Sequence, residues 1–255
     1  MRSLHFLHKI ASAVLLTTVL FVSCKTSYYT KVASKPSMLE MNSNIAMDSA
    51  IVNYIQPYKA QLDARMNQVI GHSNLHLTKT QVSGQSLVGN FFADALLAIG
   101  QKIDPETQIS FGTKGGIRAE LKDGNITVGN IFEIMPFENY ITILDLKGSQ
   151  LITLAEFIAK ADGNPISNMQ LVIKDKQLVD FKINNQAVDP NKTYKLVTYD
   201  YLANGGDYVV GLENPSDRFT SDIRVREGLI DYIENLEKNH KTIDAKIDER
   251  IKLLN

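Results

Sequence analysis

The longest regular run of apolar positions lies between residues 51 and 69. Ile51, Ile55, Tyr58, Leu62, Met66 and Val69 step by four, three, four, four and three, the spacing that puts side chains on one face of a helix. Asp48 stands where an N-cap belongs, and Pro57 within the pattern predicts a kink or a restart. A second helix is predicted over 86–102, with Leu87, Phe91, Ala95, Leu96 and Ile99 turned inward. Its N-terminus near Gly89-Asn90 either presents unpaired backbone N–H groups to a ligand oxygen or is merely capped by Asn90. Beyond it, short apolar runs alternate with polar turns. Strands are predicted over 108–111, 141–146, 171–173, 179–183 and 194–198, and helices over 128–135, stopped by Pro136, and 148–161. Asp123-Gly124-Asn125 reads as a hairpin turn, and the stretch from about residue 216 as amphipathic helices carrying Ile223, Leu229, Ile230, Ile233 and Leu236. Short strands and helices joined by hairpin-length links indicate a mixed α+β layered domain, not a doubly wound nucleotide fold.

The first 23 residues break this pattern. Arg2 and Lys9 flank an apolar run over 10–22 that is too short for a span of about 20 residues, so residues 1–23 are expected to be an export signal. The run ends at Phe21-Val22-Ser23-Cys24, a small residue before the single cysteine of the chain. That arrangement resembles a bacterial lipobox, which makes Cys24 the expected site of diacylation and the new N-terminus. Residues 24–44, rich in Ser, Thr, Lys and Asn, are expected to be a flexible tether, and 45–255 one domain of about 210 residues, enough for a buried core. Cleavage before Cys24 removes two cations and no acids, taking the formal net charge from -1 to -3. A mildly acidic domain is a poor partner for nucleic acid.

Three segments carry candidate chemistry: Gly115-Gly116-Ile117-Arg118, Pro136-Phe137-Glu138-Asn139, and Tyr201 with Asn204-Gly205-Gly206-Asp207. Each joins residues that set backbone geometry to a side chain able to hold a flat molecule with polar edges. Phe137 and Tyr201 offer aromatic faces, Arg118 a forked cation, and Asp207 two acceptor oxygens, while Gly116 and Gly206 leave room beside the backbone. That set suits a nucleoside. Read singly, Arg118 could be a surface arginine, Phe137 a core residue, and Asp207 a turn former.

These segments, with Gly89-Asn90-Phe91-Phe92-Ala93-Asp94-Ala95 and Asp248-Glu249-Arg250-Ile251, resemble the C-terminal substrate-recognition domain of the bacterial 5'-nucleotidase family, from about Tyr58 to Ile251. The resemblance implies a mixed-sheet α/β/β/α-type domain in which Phe137 and Tyr201 sandwich a base, Asp207 holds ribose hydroxyls, and Arg118 and Asn139 contact the ligand. Family members usually carry asparagine where Thr113 stands and phenylalanine where Tyr201 stands. The helix over 51–69 corresponds to the segment leading out of the family's catalytic domain, which makes it a candidate docking element. Family enzymes hold two metals in an N-terminal metallophosphatase domain, because in-line attack on phosphorus needs paired cations. Its Asp-x-His, Gly-Asn-His and Gly-His-x-His segments do not occur in this sequence.

No catalytic residue, metal site or cofactor is therefore expected here, and divalent metals only on a separate metallophosphatase chain. His72 and His76 have an i, i+4 spacing, but Gly71, Ser73 and Asn74 argue against a helix there and no acidic or cysteine partner is near in sequence. Gly112 to Gly116 lacks the lysine-serine ending of a phosphate loop, and Ser167 and Ser221 lack elbow glycines. Two functions follow: the nucleotide or nucleoside recognition subunit of a split 5'-nucleotidase, or a stand-alone non-catalytic binding lipoprotein. Either is expected in the cell envelope, periplasm-facing or exported, held to a membrane by its lipid alone.

Overall fold

The computed structural model describes residues 37, 38, 40, 42 and 45–254. The expected export signal, Cys24 and all but four positions of the expected tether lie outside them. Two units are distinguished, Met1–Ser49 and Ala50–Asn255. The described part of the first contains a turn in which the Ile45 N–H donates to the Asn42 carbonyl at 3.2 Å.

In chain order the elements are α1 (Ser49–Met66), β1 (Val69–Ser73), α2 (Leu87–Ile103), β2 (Ile109–Phe111), β3 (Gly124–Thr127), α3 (Val128–Ile134), β4 (Tyr140–Lys147), α4 (Gly148–Lys160), β5 (Ile166–Ser167), β6 (Met169–Lys174), β7 (Gln177–Ile183), β8 (Gln186–Ala187), β9 (Thr193–Tyr199), α5 (Asp200–Ala203), β10 (Asp217–Arg224), α6 (Val225–Lys238) and β11 (Ile251–Leu254). One sheet has the order β10-β4-β9-β2-β5, a second β11-β6-β7-β8, and β1 pairs with β3. β2 runs parallel to β9 and β11 parallel to β6, while the other pairs are antiparallel. This is the α+β class with mixed sheets that the alternation of elements predicts.

Apolar pattern and burial agree in the central strands. β4 is a nearly continuous apolar run and is buried along most of its length between β10 and β9. β6 alternates and shows one buried face. α2 is apolar nearly all round, with Val88, Phe91, Phe92, Ala95, Leu96 and Ile99 buried, and it packs on β2, β5, β9 and α6. Ser86 caps it, accepting from the Gly89 N–H at 3.2 Å. α4 touches β4, β6 and β7.

Three elements differ from expectation. The 123–125 turn does not close a local hairpin: Gly124, at φ +100°, leads into β3, which pairs with β1 some fifty residues upstream. The segment 217–224 is a strand, not a helix, because β4 offers it an open edge. α1 runs without interruption through Pro57, and none of its residues is buried in spite of the helical spacing of its apolar positions.

Candidate functional site

β2 delivers the chain to Thr113, whose hydroxyl caps a short 3₁₀ turn over Lys114–Gly116 by accepting from the Gly116 N–H at 3.3 Å. Neither Gly115 nor Gly116 has a positive φ. The need for glycine at 116 is space: a β-carbon there would lie 2.4 Å from the Tyr199 hydroxyl oxygen. Arg118 follows, its N–H donating to the Ile134 carbonyl at 2.8 Å. Its exposed guanidinium donates to the Gly115 carbonyl at 3.2 Å and lies 6.0 Å from the centre of the Phe137 ring.

Phe137 comes just after α3 and Pro136, on a segment held from α6. Arg226, 6% exposed, donates to the Phe137 carbonyl at 3.2 Å, pairs with Glu138, and lies 4.3 Å over the Phe132 ring. Arg224 also pairs with Glu138. The hydrogen bond from Arg226 holds the Glu138 carboxyl below the ordinary range, so this acid anchors the loop. The Asn139 carbonyl accepts from the Val225 N–H at 2.9 Å, which fixes the next residue.

Tyr201 sits on α5, directly after β9. The Asp200 carboxylate accepts from the N–H groups of Tyr140 at 3.0 Å and Tyr201 at 2.8 Å, clipping the Tyr201 segment to the strand that follows Phe137. Gly205 has φ +84° and Asp207 φ +54°, so the loop curls back upon the Tyr201 ring. A β-carbon on Gly206 would lie 2.5 Å from that ring, which only glycine permits. The Tyr201 hydroxyl donates to Asp207 Oδ1 at 3.0 Å and accepts from the Asp207 N–H at 3.2 Å. Thr113 donates to Asp207 Oδ2 at 2.6 Å, and its hydroxyl oxygen lies 3.4 Å from that of Tyr199. Burial pushes the Tyr199 hydroxyl up to about 12, so it stays protonated at neutral pH.

Gly115, Gly116, Arg118, Phe137, Asn139, Tyr199, Tyr201 and Asp207 line one cavity of about 320 Å³. Phe137 and Tyr201 are 39% and 47% exposed, open to solvent and not packed as core residues. Two ring faces, a cation with free N–H groups and a carboxylate supply stacking and polar recognition in a volume suited to a small ligand. Larger hollows exist: one of about 420 Å³ between α2 and α6 and one of about 570 Å³ between α4 and β7 are each lined by a single aromatic side chain, and one of about 420 Å³ around Asp94, Ser167, Asp248 and Arg250 by none.

Asn90 is not part of this cavity. It is 2% exposed, and its amide donates to Gln85 Oε1 at 2.9 Å and the Lys246 carbonyl at 2.7 Å, tying α2 to the C-terminal segment. With Ser86 as the cap, Asn90 does not cap the helix, and it borders a separate small hollow with Ser86, Gly89, Lys114 and Asn164. Gly206 lies beneath the Tyr201 ring and does not line the cavity. The residue that sequence reasoning missed is Tyr199, which reads as one more strand position and carries no motif. His76, without an acidic neighbour in sequence, meets Glu120 at 3.0 Å across 44 residues. Among the described residues no group of three or more His, Cys, Asp or Glu is placed to hold a metal ion.

A family model described as 5'-nucleotidase, C-terminal domain, matches residues 69–212. The chain is 27% identical over 223 residues to the protein UshA of Yersinia enterocolitica, covering 86% of this chain and 37% of that protein. To the protein UshA of Escherichia coli it is 28% identical over 175 residues, 67% of this chain and 32% of that protein. It superimposes on the crystal structure of a 5'-nucleotidase precursor from Thermus thermophilus with a TM-score of 0.68 at 28% identity, over 81% of this chain and 42% of that chain. The chain thus spans well under half the length of these relatives. It belongs to the 5'-nucleotidase C-terminal domain family.

Proposed function

We propose that this member of the 5'-nucleotidase C-terminal family is the nucleotide or nucleoside recognition subunit of a split 5'-nucleotidase. Phosphate-ester hydrolysis takes place on the divalent metals of a separate metallophosphatase chain. The observation that supports this reading is the convergence of Phe137, Tyr201, Arg118, Asn139 and Asp207 on one open cavity. The base stacks between the two rings, Asp207 accepts from the ribose hydroxyls, and Arg118 and Asn139 meet polar edges of the ligand. The phosphate is left pointing outward to the partner. Cys24 carries a lipid that keeps the subunit in the cell envelope, where the partner is also exported.

Each stacked ring contributes about 1 to 3 kcal/mol and each hydrogen bond to a charged group about 1.5 to 3 kcal/mol. Ordering the ligand offsets much of this, which gives nucleoside dissociation constants of about 10 μM to 1 mM. Such affinity suits a domain that presents substrate and releases product.

The test is AMP hydrolysis with divalent metal by this chain and an exported metallophosphatase that lacks a recognition domain of its own. The pair is expected to be much faster than either alone. A partner equally active by itself removes the subunit reading and leaves a stand-alone binding lipoprotein, while calorimetry showing no binding of adenosine or AMP removes both.

A further inference from the structure

Asp207 is held unusually firmly for an exposed acid on a loop. Its backbone has φ +54°, its N–H donates to the Tyr201 hydroxyl, and both its carboxylate oxygens already accept a hydrogen bond, from Tyr201 at 3.0 Å and Thr113 at 2.6 Å. The direction of the chain behind Thr113 follows from counting hydrogens. A threonine hydroxyl has one, and the short contact with an ionised carboxylate takes it. The 3.4 Å contact with Tyr199 therefore has Tyr199 donating and Thr113 accepting. The Gly116 N–H donates to the same oxygen at 3.3 Å. Tyr199 is 1% exposed, so this support is fixed by the core. An ionised carboxylate has about four acceptor positions, two on each oxygen. With Thr113 on one oxygen and Tyr201 on the other, one position on each is left.

We propose that the Thr113 and Tyr201 hydroxyls are positioning groups that brace Asp207 as a paired acceptor, and so make the cavity select ligands with two adjacent hydroxyls over their monodeoxy analogues. This rests on the reading of the cavity as a nucleoside site. A carboxylate free to rotate would turn one oxygen to the remaining hydroxyl of a deoxy analogue at small cost. Braced on both sides, it cannot, and the acceptor facing the missing hydroxyl goes unpaired.

The experiment is calorimetry of the full chain with adenosine, 2'-deoxyadenosine and 3'-deoxyadenosine. The unaltered protein is expected to bind both deoxy analogues about ten- to a hundredfold more weakly than adenosine, the range for one hydrogen bond to a charged group. Thr113→Val keeps the shape and removes the hydroxyl, and it is expected to bring that ratio within about threefold, while Thr113→Ser restores it. Tyr201→Phe keeps the ring and is expected to act as Thr113→Val does. It decides the matter should Thr113→Val fail to fold. Variants that lose melting temperature yet keep the full ratio overturn the proposal, as does an unaltered protein that binds all three nucleosides equally. An unaltered protein that binds none of them overturns the nucleoside reading itself, and the brace with it.

Discussion

Arg250 and Arg118 each stand in a short motif with glycine or acidic neighbours, and their surroundings leave them very different numbers of unused donors. Arg250 engages all of its N–H groups: Nε with Asp248 Oδ1 at 2.8 Å, and the two terminal nitrogens with Asp94 at 2.9 and 3.0 Å, Asp248 Oδ2 at 2.9 Å and the Ile166 carbonyl at 2.9 Å. Ser167 completes the cluster by donating to Asp94 at 2.6 Å. α2, β5 and the C-terminal segment are joined there, and although these residues border a hollow of about 420 Å³, Arg250 has no N–H left to offer into it. The Arg118 guanidinium makes a single hydrogen bond among the described residues, to a carbonyl three residues back. Arg118 lines the cavity beside the exposed Phe137 ring, with donors the protein does not use. What separates a joint from a recognition site is thus the donor capacity left over after folding, not the residue type or its motif.

The sharpest way to break this comparison is Arg250→Ala. Removing the cation leaves Asp94 with only the Ser167 hydroxyl and Asp248 with only the backbone N–H of residue 250, and the expected loss is about 3 kcal/mol of stability, or roughly 10 °C in melting temperature. Adenosine affinity of the folded fraction is expected to be unchanged. A loss of binding with unaltered stability would exchange the roles of the two regions.

Tyr199 belongs to both regions, buried like the joint yet lining the cavity. Burial holds its hydroxyl at about 12, against an ordinary tyrosine value of 10.0. A group raised in the folded state stabilises fully below its unfolded value and loses that contribution as pH rises through the folded one. Denaturant midpoints are therefore expected to fall between about pH 10 and pH 12, by an amount corresponding to about 2 kcal/mol, and Tyr199→Phe to flatten that slope. An unchanged slope would mean that other groups govern alkaline stability.

The smallest effect expected on stability, and the one most specific to the cavity, comes from Phe137→Ala and Tyr201→Ala. Each is expected to weaken adenosine binding at least about tenfold, a loss of about 1.4 kcal/mol, with melting temperature nearly unchanged. Extensive unfolding with no change in affinity would place both rings in the core.

Much of this was legible from local pattern. The helix over 86–102 and the strand over 141–146 fall within a residue or two of α2 and β4, because periodicity and burial act over neighbouring residues. Likewise Arg118, Phe137, Asn139 and Tyr201 could be named from segments in which glycine or proline sets the backbone. The strand at 217–224 was not legible, since an open sheet edge decided it, and neither was the exposure of α1, whose spacing alone predicts a buried stripe.

The sequence by itself determined which side chains could stack, donate or accept, and the short-range geometry that presents them. Only the tertiary structure decided which of those groups are satisfied by the protein and which are left for a ligand. Asn90 and Arg250 are satisfied by residues 156 positions away, and Asp207 meets Thr113 across 94. A hydrogen bond depends on distance and angle in space, and no local propensity carries that information across such separations.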